Sequence, residues 1–177
     1  MIEKTIQDLI GNHIISDECE IWLNSIGFYD KPASINHHGN EDGDLFNHSY
    51  EVAKQLGILT DKLELVWQRK ESPLIVGLLH DVCKCDDYDL VNDDNAFTGE
   101  SWGYNPNKIY NGHGDKSVMM LSSHLQLTEE EMYCICFHMG AFTDKDLWKF
   151  YSQAVNKYPN VLYTHTADMI ASQVLNI

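Results

Sequence analysis

The dipeptide His80-Asp81 places an imidazole beside a carboxylate at the end of an apolar run, Pro73 to Leu79. A helix over that run would be buried and would deliver the pair at its far end. Polar groups carried into a core cost free energy unless they meet partners. A hydrogen bond between the two side chains would meet that need, and so would a metal ion, because both residue types are metal ligands.

Four more histidines and aspartates stand among apolar or small neighbours: His48, His113, His138 and Asp168. With His80 and Asp81 they make four imidazoles and two carboxylates, a donor set that suits Mn, Fe, Zn, Co or Ni better than Ca. Six ligands are too many for one closed tetrahedral site. They fit one octahedral ion, or two ions about 3.5–4 Å apart that share a bridging carboxylate.

The elements that must position these residues are mainly helices. Apolar residues recur at helical spacing, which predicts an all-α fold, a compact single-domain helical bundle with a long central loop. Helices are expected over about 4–15, 16–26, 44–59, 73–80, 114–125, 128–138, 145–157 and 160–175. The Ser72-Pro73 pair predicts a helix start with the Ser72 hydroxyl as its cap. Thr128 and Glu131 predict a capping box.

The central stretch, residues 86–111, lacks helical periodicity and is rich in Asn, Asp, Gly and aromatic residues. A loop of this length in a compact domain is usually functional or ordered in part as a hairpin. Trp102, Tyr104 and Tyr110 are expected either to wall a pocket or to attach the loop to the body of the domain.

The formal net charge is −15, from 12 Lys+Arg and 27 Asp+Glu. That field would repel a nucleic-acid polymer, although bound divalent cations would still admit a small phosphorylated ligand. No apolar window approaches the ~20 residues that cross a bilayer, and the first residues have no secretory signal pattern. We therefore expect one cytoplasmic domain over residues 1–177 that has no membrane partner, with its oligomeric state open. The five cysteines are interpreted as free thiols.

Part of the histidine and aspartate set follows a known order along the chain: His48, His80-Asp81, then Asp168. This order resembles the H…HD…D signature of the HD-domain superfamily of metal-dependent phosphohydrolases. His113, between two glycines, and His138, in Phe-His-Met-Gly, are similar to the additional histidines of the dinuclear branches. The resemblance covers about residues 45–172, most of the chain.

The resemblance implies two divalent transition-metal ions, Fe or Mn first, with Zn, Co, Ni or Mg as alternatives. The residues implied for the first ion are His48, His80, Asp81 and Asp168. Asp81 would bridge to a second ion held by His113 and His138. A second interpretation keeps one ion and uses His113 and His138 to bind phosphate.

Three further residues are candidates for contact with a substrate phosphate. Lys84 matches the lysine of a His-Asp-x-x-Lys variant of the family and lies one helical turn after His80, so its ammonium would stabilise developing charge. His37 and His38 precede the helix that carries His48 and would approach the mouth of the site.

The implied reaction is hydrolysis of a phosphate ester or anhydride in a small phosphorylated molecule by metal-activated water, with Asp81 and Lys84 as catalytic residues. The aromatic residues of the central loop favour a nucleotide substrate. The resemblance fixes the metal chemistry and the reaction class, and it leaves the substrate open. The alternative is a non-catalytic module that uses its metal site to bind a phosphorylated signal.

Overall fold

The computed structural model describes residue 11, residues 15–35 and residues 41–177. The α-helices of this part are α1 (Asp17–Ser25), α2 (Asp44–Leu63), α3 (Ser72–Leu79), α4 (Lys84–Asp87), α5 (Gly114–Leu121), α6 (Glu129–Cys136), α7 (Trp148–Lys157) and α8 (Asn160–Met169). Short 3-10 turns cover Gly140–Phe142 and Lys145–Leu147, and a π-helical stretch, Ile170–Leu175, continues α8. Most of the helix expected over residues 4–15, all but residues 11 and 15, and the candidates His37 and His38 lie outside the described residues.

The all-α expectation is correct for most of the chain and overstated for the central stretch. Two strands, β1 (Tyr88–Asn92) and β2 (Glu100–Tyr104), pair there as an antiparallel hairpin, with Tyr88 opposite Tyr104. Aromatic and β-branched residues suit a pleated, half-buried surface, and Gly99 allows the turn because its φ is +80°. The part of the loop expected to order as a hairpin does so.

The core forms where α2 packs against α3 and α8. Every residue of α3 is buried, as its apolar run predicts. Gly77 permits the close approach of α2, since a Cβ there would lie 2.3 Å from the Cα of Ala53. This packing brings together segments that are far apart in the sequence.

Of the two helix caps predicted from the sequence, the one at Thr128 is confirmed and the one at Ser72 is not. The Ser16 hydroxyl accepts from the backbone N–H of Cys19, and Thr128 with Glu131 forms the expected capping box. The cap predicted at Ser72 is wrong, because α3 has Glu71 at its N-cap position and no side-chain cap. The Ser72 hydroxyl donates instead to the buried Glu131 carboxylate, at 2.7 Å.

Glu131 is a fully buried carboxylate, and replacing its partner Arg69 by alanine should destabilise the fold strongly. Arg69 Nε and Nη2 each lie 2.7 Å from an oxygen of the Glu131 carboxylate. The side chain of Glu131 is 0% exposed. Without Arg69 the charge stays buried and unpaired, so the free energy of unfolding should fall by about 3–5 kcal/mol in urea titrations. The control Lys70→Ala, at an 80% exposed side chain, should change it by less than about 0.5 kcal/mol. Equal effects of the two substitutions would contradict this account of Glu131.

No helix of the described part combines the length and apolar composition needed to span a bilayer.

Candidate metal centre

Six histidines and aspartates from five separate segments converge on the turn that follows α3. They are His48 on α2, His80 and Asp81 in the turn itself, His113 immediately before α5, His138 two residues after α6, and Asp168 on α8. Each segment ends or packs at the same side of the core, so residues up to 120 positions apart become neighbours. The sequence-predicted ligand set is therefore brought together in one cluster.

Asp81 lies at the centre of this cluster, and its two oxygens face different nitrogens. Oδ1 is 3.0 Å from His113 Nε2 and 3.2 Å from His138 Nε2. Oδ2 is 3.5 Å from His80 Nε2 and 4.0 Å from His48 Nε2. The side chain is only 4% exposed. A carboxylate with ligands on both sides is the arrangement a bridge between two ions requires.

Asp168 lies beside His48 and His80 in the cluster. Its Oδ1 lies 3.3 Å from His48 Nε2, and the ligand atoms of His48, His80 and Asp168 lie within 4.8 Å of one another. Burial alone would raise the pKa of Asp168, but in their protonated forms His48 donates a hydrogen bond to this carboxylate and His80 and His138 add positive charge, and together they lower the pKa to about 2. This carboxylate is therefore ionised at neutral pH, as metal binding requires.

Three buried atoms of the cluster have no hydrogen-bond partner among the residues that the structure describes: Asp81 Oδ1, His80 Nε2 and His138 Nε2. The imidazole nitrogens approach the Asp81 carboxylate closely, yet without hydrogen-bond geometry. Each unsatisfied buried group costs about 1–3 kcal/mol. Bound metal ions would use these atoms as ligands, since the ligand atoms of His80, Asp81 and His138 lie within 4.8 Å of one another. The residues present therefore fit a divalent transition metal with mixed nitrogen and oxygen ligands.

Backbone carbonyls fix the tautomer of three of the four imidazoles. Nδ1 of His80, His138 and His48 lies 2.8, 2.7 and 2.9 Å from the carbonyl oxygens of Gly77, Ile135 and Ile177, respectively. A backbone oxygen only accepts, so Nδ1 carries the hydrogen, and in the neutral imidazole the lone pair is left on Nε2, which faces the cluster. Metal-binding histidines are held in this manner.

His113 differs, because its Nδ1 lies 3.4 Å from the sulfur of Cys83. Burial raises the pKa of the Cys83 thiol, which keeps it neutral. The sequence interpretation of Cys83 as a buried free thiol is consistent with this position, but it missed the contact with His113. The available signal was that Cys83 follows Asp81 by two residues. Asp81, Cys83 and His113 also form a third group whose ligand atoms lie within 4.8 Å.

Lys84 contacts the same carboxylate, with its Nζ 2.6 Å from Asp81 Oδ2. Burial alone would raise the pKa of Asp81, but the Lys84 ammonium and the imidazoles hold it well below its usual range. Burial alone would lower the pKa of Lys84, and the Asp81 carboxylate outweighs that effect and raises it. Both groups are therefore charged at neutral pH. An ammonium has three donors, so two remain for a further ligand.

The metal-stripped protein should lose stability as the pH falls through the range in which His80 titrates. Burial lowers the pKa of His80 from 6.5 to about 4. Between pH 6.5 and pH 4 the imidazole of His80 takes up a proton in the unfolded chain but not in the folded chain. The contribution of neutral His80 to the free energy of unfolding is therefore complete above pH 6.5 and is lost as the pH falls towards 4. The loss should reach roughly 3 kcal/mol relative to His80→Asn, measured by urea unfolding in EDTA. Parallel pH profiles for the two proteins would contradict the assignment.

The remaining described histidines lie outside the cluster, as expected for hydrogen-bonded core or surface roles. The ring of His124 stacks on Trp22 at 3.9 Å. His165 Nδ1 lies 2.9 Å from the backbone oxygen of His138, so this histidine supports the segment that carries a cluster residue.

A cavity of about 1030 Å³ opens beside the cluster, with Lys84 and His113 in its wall. Of the three loop aromatics expected at a pocket, only Tyr104 lines this cavity. Trp102 instead donates from its indole N–H to Asp42, and the Tyr110 hydroxyl donates to Asp115. These two side chains attach the loop to the body of the domain.

Comparison with known proteins gives one family match. The model of a family described as HD domain matches residues 45–168, well over half of the chain. The matched range contains all six residues of the cluster. The curated proteins and the solved structures contain no significant match to the chain.

Proposed function

The chain belongs to the HD domain family, whose members are typically metal-dependent hydrolases, and we propose that it hydrolyses a phosphate ester or anhydride bond in a small phosphorylated molecule. Nucleotides are the first substrate class to test, because aromatic side chains line the cavity beside the cluster. The observation that carries the proposal is the group of buried, unpartnered nitrogen and oxygen atoms around Asp81. Such atoms are costly in a fold that has no ligand for them.

The cluster divides into two ligand sets that share Asp81. His48, His80, Asp81 and Asp168 would hold one ion, and Asp81, His113 and His138 would hold the other. We propose Fe or Mn as the native metal, with Zn, Co, Ni or Mg as alternatives. Divalent ions bound in this way lower the pKa of water towards neutrality and polarise a phosphoryl group.

The chain's own residues bind and orient the phosphoryl group. Lys84 lies between the Asp81 carboxylate and the cavity, so its free donors can bind a phosphate oxygen and stabilise the charge that develops on it. The carbonyl contacts of His48, His80 and His138 keep the ligand rings in one orientation. Asp81 and His138 are themselves buried, so bulk water has little access to their ligand atoms.

The proposal is tested by phosphate release from a panel of nucleotides, sugar phosphates and pyrophosphate. The protein is first stripped with EDTA and then loaded separately with Mn, Fe, Co, Ni, Zn or Mg. We expect metal-dependent release from at least one compound and none in EDTA. Binding of a phosphorylated compound without turnover under any metal would overturn the proposal and establish the alternative, a non-catalytic module that binds a phosphorylated signal.

A further inference from the structure

The cavity beside the cluster has an aromatic wall that neither ligand set requires. Six aromatic side chains line it: Tyr88, Tyr104, Tyr133, Phe137, Phe142 and Phe150. They come from the hairpin, from α6 and its C-terminal end, from a 3-10 turn and from α7. Ligand pockets in proteins are concave and mainly apolar, with a few polar groups that fix the orientation of the ligand. Here the polar groups at one end are Lys84 and His113, both in contact with Asp81.

Three of these aromatic side chains are more than half exposed, and besides Tyr104 they are the two phenylalanines Phe142 and Phe150. Phe142 is 67% exposed and Phe150 is 53% exposed, and Leu147 between them in sequence also lines the cavity. Contiguous apolar surface of this kind is uncommon on a soluble domain unless something binds to it. Because this surface continues into the charged centre, its natural occupant is a ligand with an apolar end and a phosphoryl end.

The charges of the cavity favour a ligand with one phosphoryl group over a polyphosphate. Among the described residues that line it, both lysines already have a carboxylate partner: Lys84 contacts Asp81, and Lys157 Nζ lies 2.6 Å from Glu129 Oε1. Three aspartates stand along the same wall, Asp87, Asp115 and Asp144. Asp87 is already paired with Lys116, at 2.8 Å. A second or third phosphate would therefore meet the carboxylates of Asp115 and Asp144, and Lys157, which shares its charge with Glu129, is the one further lysine in the described lining.

We propose that this cavity binds the flat, apolar group of a phosphomonoester whose phosphoryl group lies at Asp81 and Lys84, a step that rests on the proposed function. The ring would stack on the aromatic wall at Phe142 and Phe150, as a nucleobase or another aromatic group does. In hydrolysis a water oxygen forms the new bond to phosphorus and the ester P–O bond breaks. The leaving oxygen takes up a proton, and the products are inorganic phosphate and the alcohol.

Four compounds separate the features of this ligand in assays of kcat/KM with the metal-loaded protein. Adenosine 5′-monophosphate and ribose 5-phosphate differ by the base, adenosine 5′-triphosphate adds two phosphates, and 1-naphthyl phosphate offers a ring without a sugar. The monophosphate should exceed ribose 5-phosphate by about 10- to 100-fold, the value of one stacked base. It should also exceed the triphosphate by at least about tenfold. Turnover of 1-naphthyl phosphate identifies a general aromatic site, and its absence identifies a nucleoside site; each result supports the proposal.

Substitutions in the wall test the same inference. Phe142→Ala and Phe150→Ala should each lower kcat/KM for the aromatic monophosphates by about 5- to 50-fold, and leave ribose 5-phosphate within about twofold. The control is Phe97→Ala, because Phe97 is fully exposed and does not line the cavity. Equal kcat/KM for adenosine 5′-monophosphate and ribose 5-phosphate, with no effect of either wall variant, would overturn the proposal, as would a preference for the triphosphate.

A binding measurement distinguishes failure of this inference from failure of the proposed function. Equilibrium dialysis of 1-naphthyl phosphate and adenosine 5′-monophosphate requires no turnover and is performed with wild type, Phe142→Ala and Phe97→Ala. Weaker binding to Phe142→Ala alone supports the cavity assignment even if no phosphate is released, a result that would refute hydrolysis. Binding that is the same for all three proteins overturns the cavity assignment, even if hydrolysis is observed.

Discussion

The Asp81→Ala protein is expected to bind neither metal ion and to release no phosphate above the metal-free background. The oxygens of Asp81 face nitrogens of both ligand sets, at 3.0 Å for His113 and 3.5 Å for His80. Its removal takes an anionic ligand from each ion and leaves the imidazoles without a central charge. Metal content after dialysis and phosphate release with the best substrate measure the two effects.

Two further proteins make the Asp81 experiment interpretable. Asp81→Asn keeps the shape of the side chain and should show the same losses, so a folding defect in the alanine variant would not hide the result. Asp94→Ala removes an exposed aspartate in the hairpin loop and should leave both quantities unchanged. Circular dichroism confirms that each variant is folded. Near-normal hydrolysis in the folded Asp81→Asn protein would refute the assignment of Asp81.

The Lys84→Met protein is expected to keep its metal ions and to lose about 100- to 1,000-fold in kcat. Methionine retains most of the apolar stem and removes the ammonium, which the geometry places between Asp81 and the cavity. Loss of a single positioned donor at a developing charge has an effect of this size. Steady-state kinetics with parallel metal analysis measure it.

Lys70→Met is the matched control for Lys84, since its side chain is 80% exposed and lies away from the cluster. It should change kcat by less than about twofold. Lys84→Arg should recover part of the activity, because the charge is kept and its geometry changes. Loss of the metal ions from Lys84→Met would indicate that Lys84 holds the Asp81 carboxylate in position for metal binding. The proposed contact between Lys84 and the phosphate would then be wrong.

Much of the fold was predictable from the sequence, because local patterns determine it. The apolar run before His80 specified a buried helix, and the Thr128 capping box placed the start of α6 correctly. The histidines and aspartates that stand among apolar neighbours in the sequence are also the residues that form the cluster. Burying a histidine or an aspartate is costly wherever it occurs, so the sequence alone marks such residues as needing partners.

Other features depend on contacts between distant segments, which no local pattern reveals. The Ser72 hydroxyl looked like a cap and donates instead to Glu131, 59 positions away. The sequence leaves two roles open for Trp102, a pocket wall or an attachment of the loop, and the indole N–H donates to Asp42, 60 positions away. Phe142 and Phe150 line the cavity beside the cluster, but the residues around them in the sequence have no pattern that would distinguish a cavity wall from an ordinary amphipathic helix. The roles of such residues are set by tertiary packing.

The number of metal ions per chain is the most direct test of the account. Wild-type protein and His113→Ala are loaded with Mn or Fe, dialysed to equilibrium and analysed for metal and protein by mass spectrometry. We expect about two ions per chain in the wild type and about one in His113→Ala, since His113 lies on one side of the Asp81 carboxylate only. One ion per chain in both proteins would contradict the bridging role of Asp81.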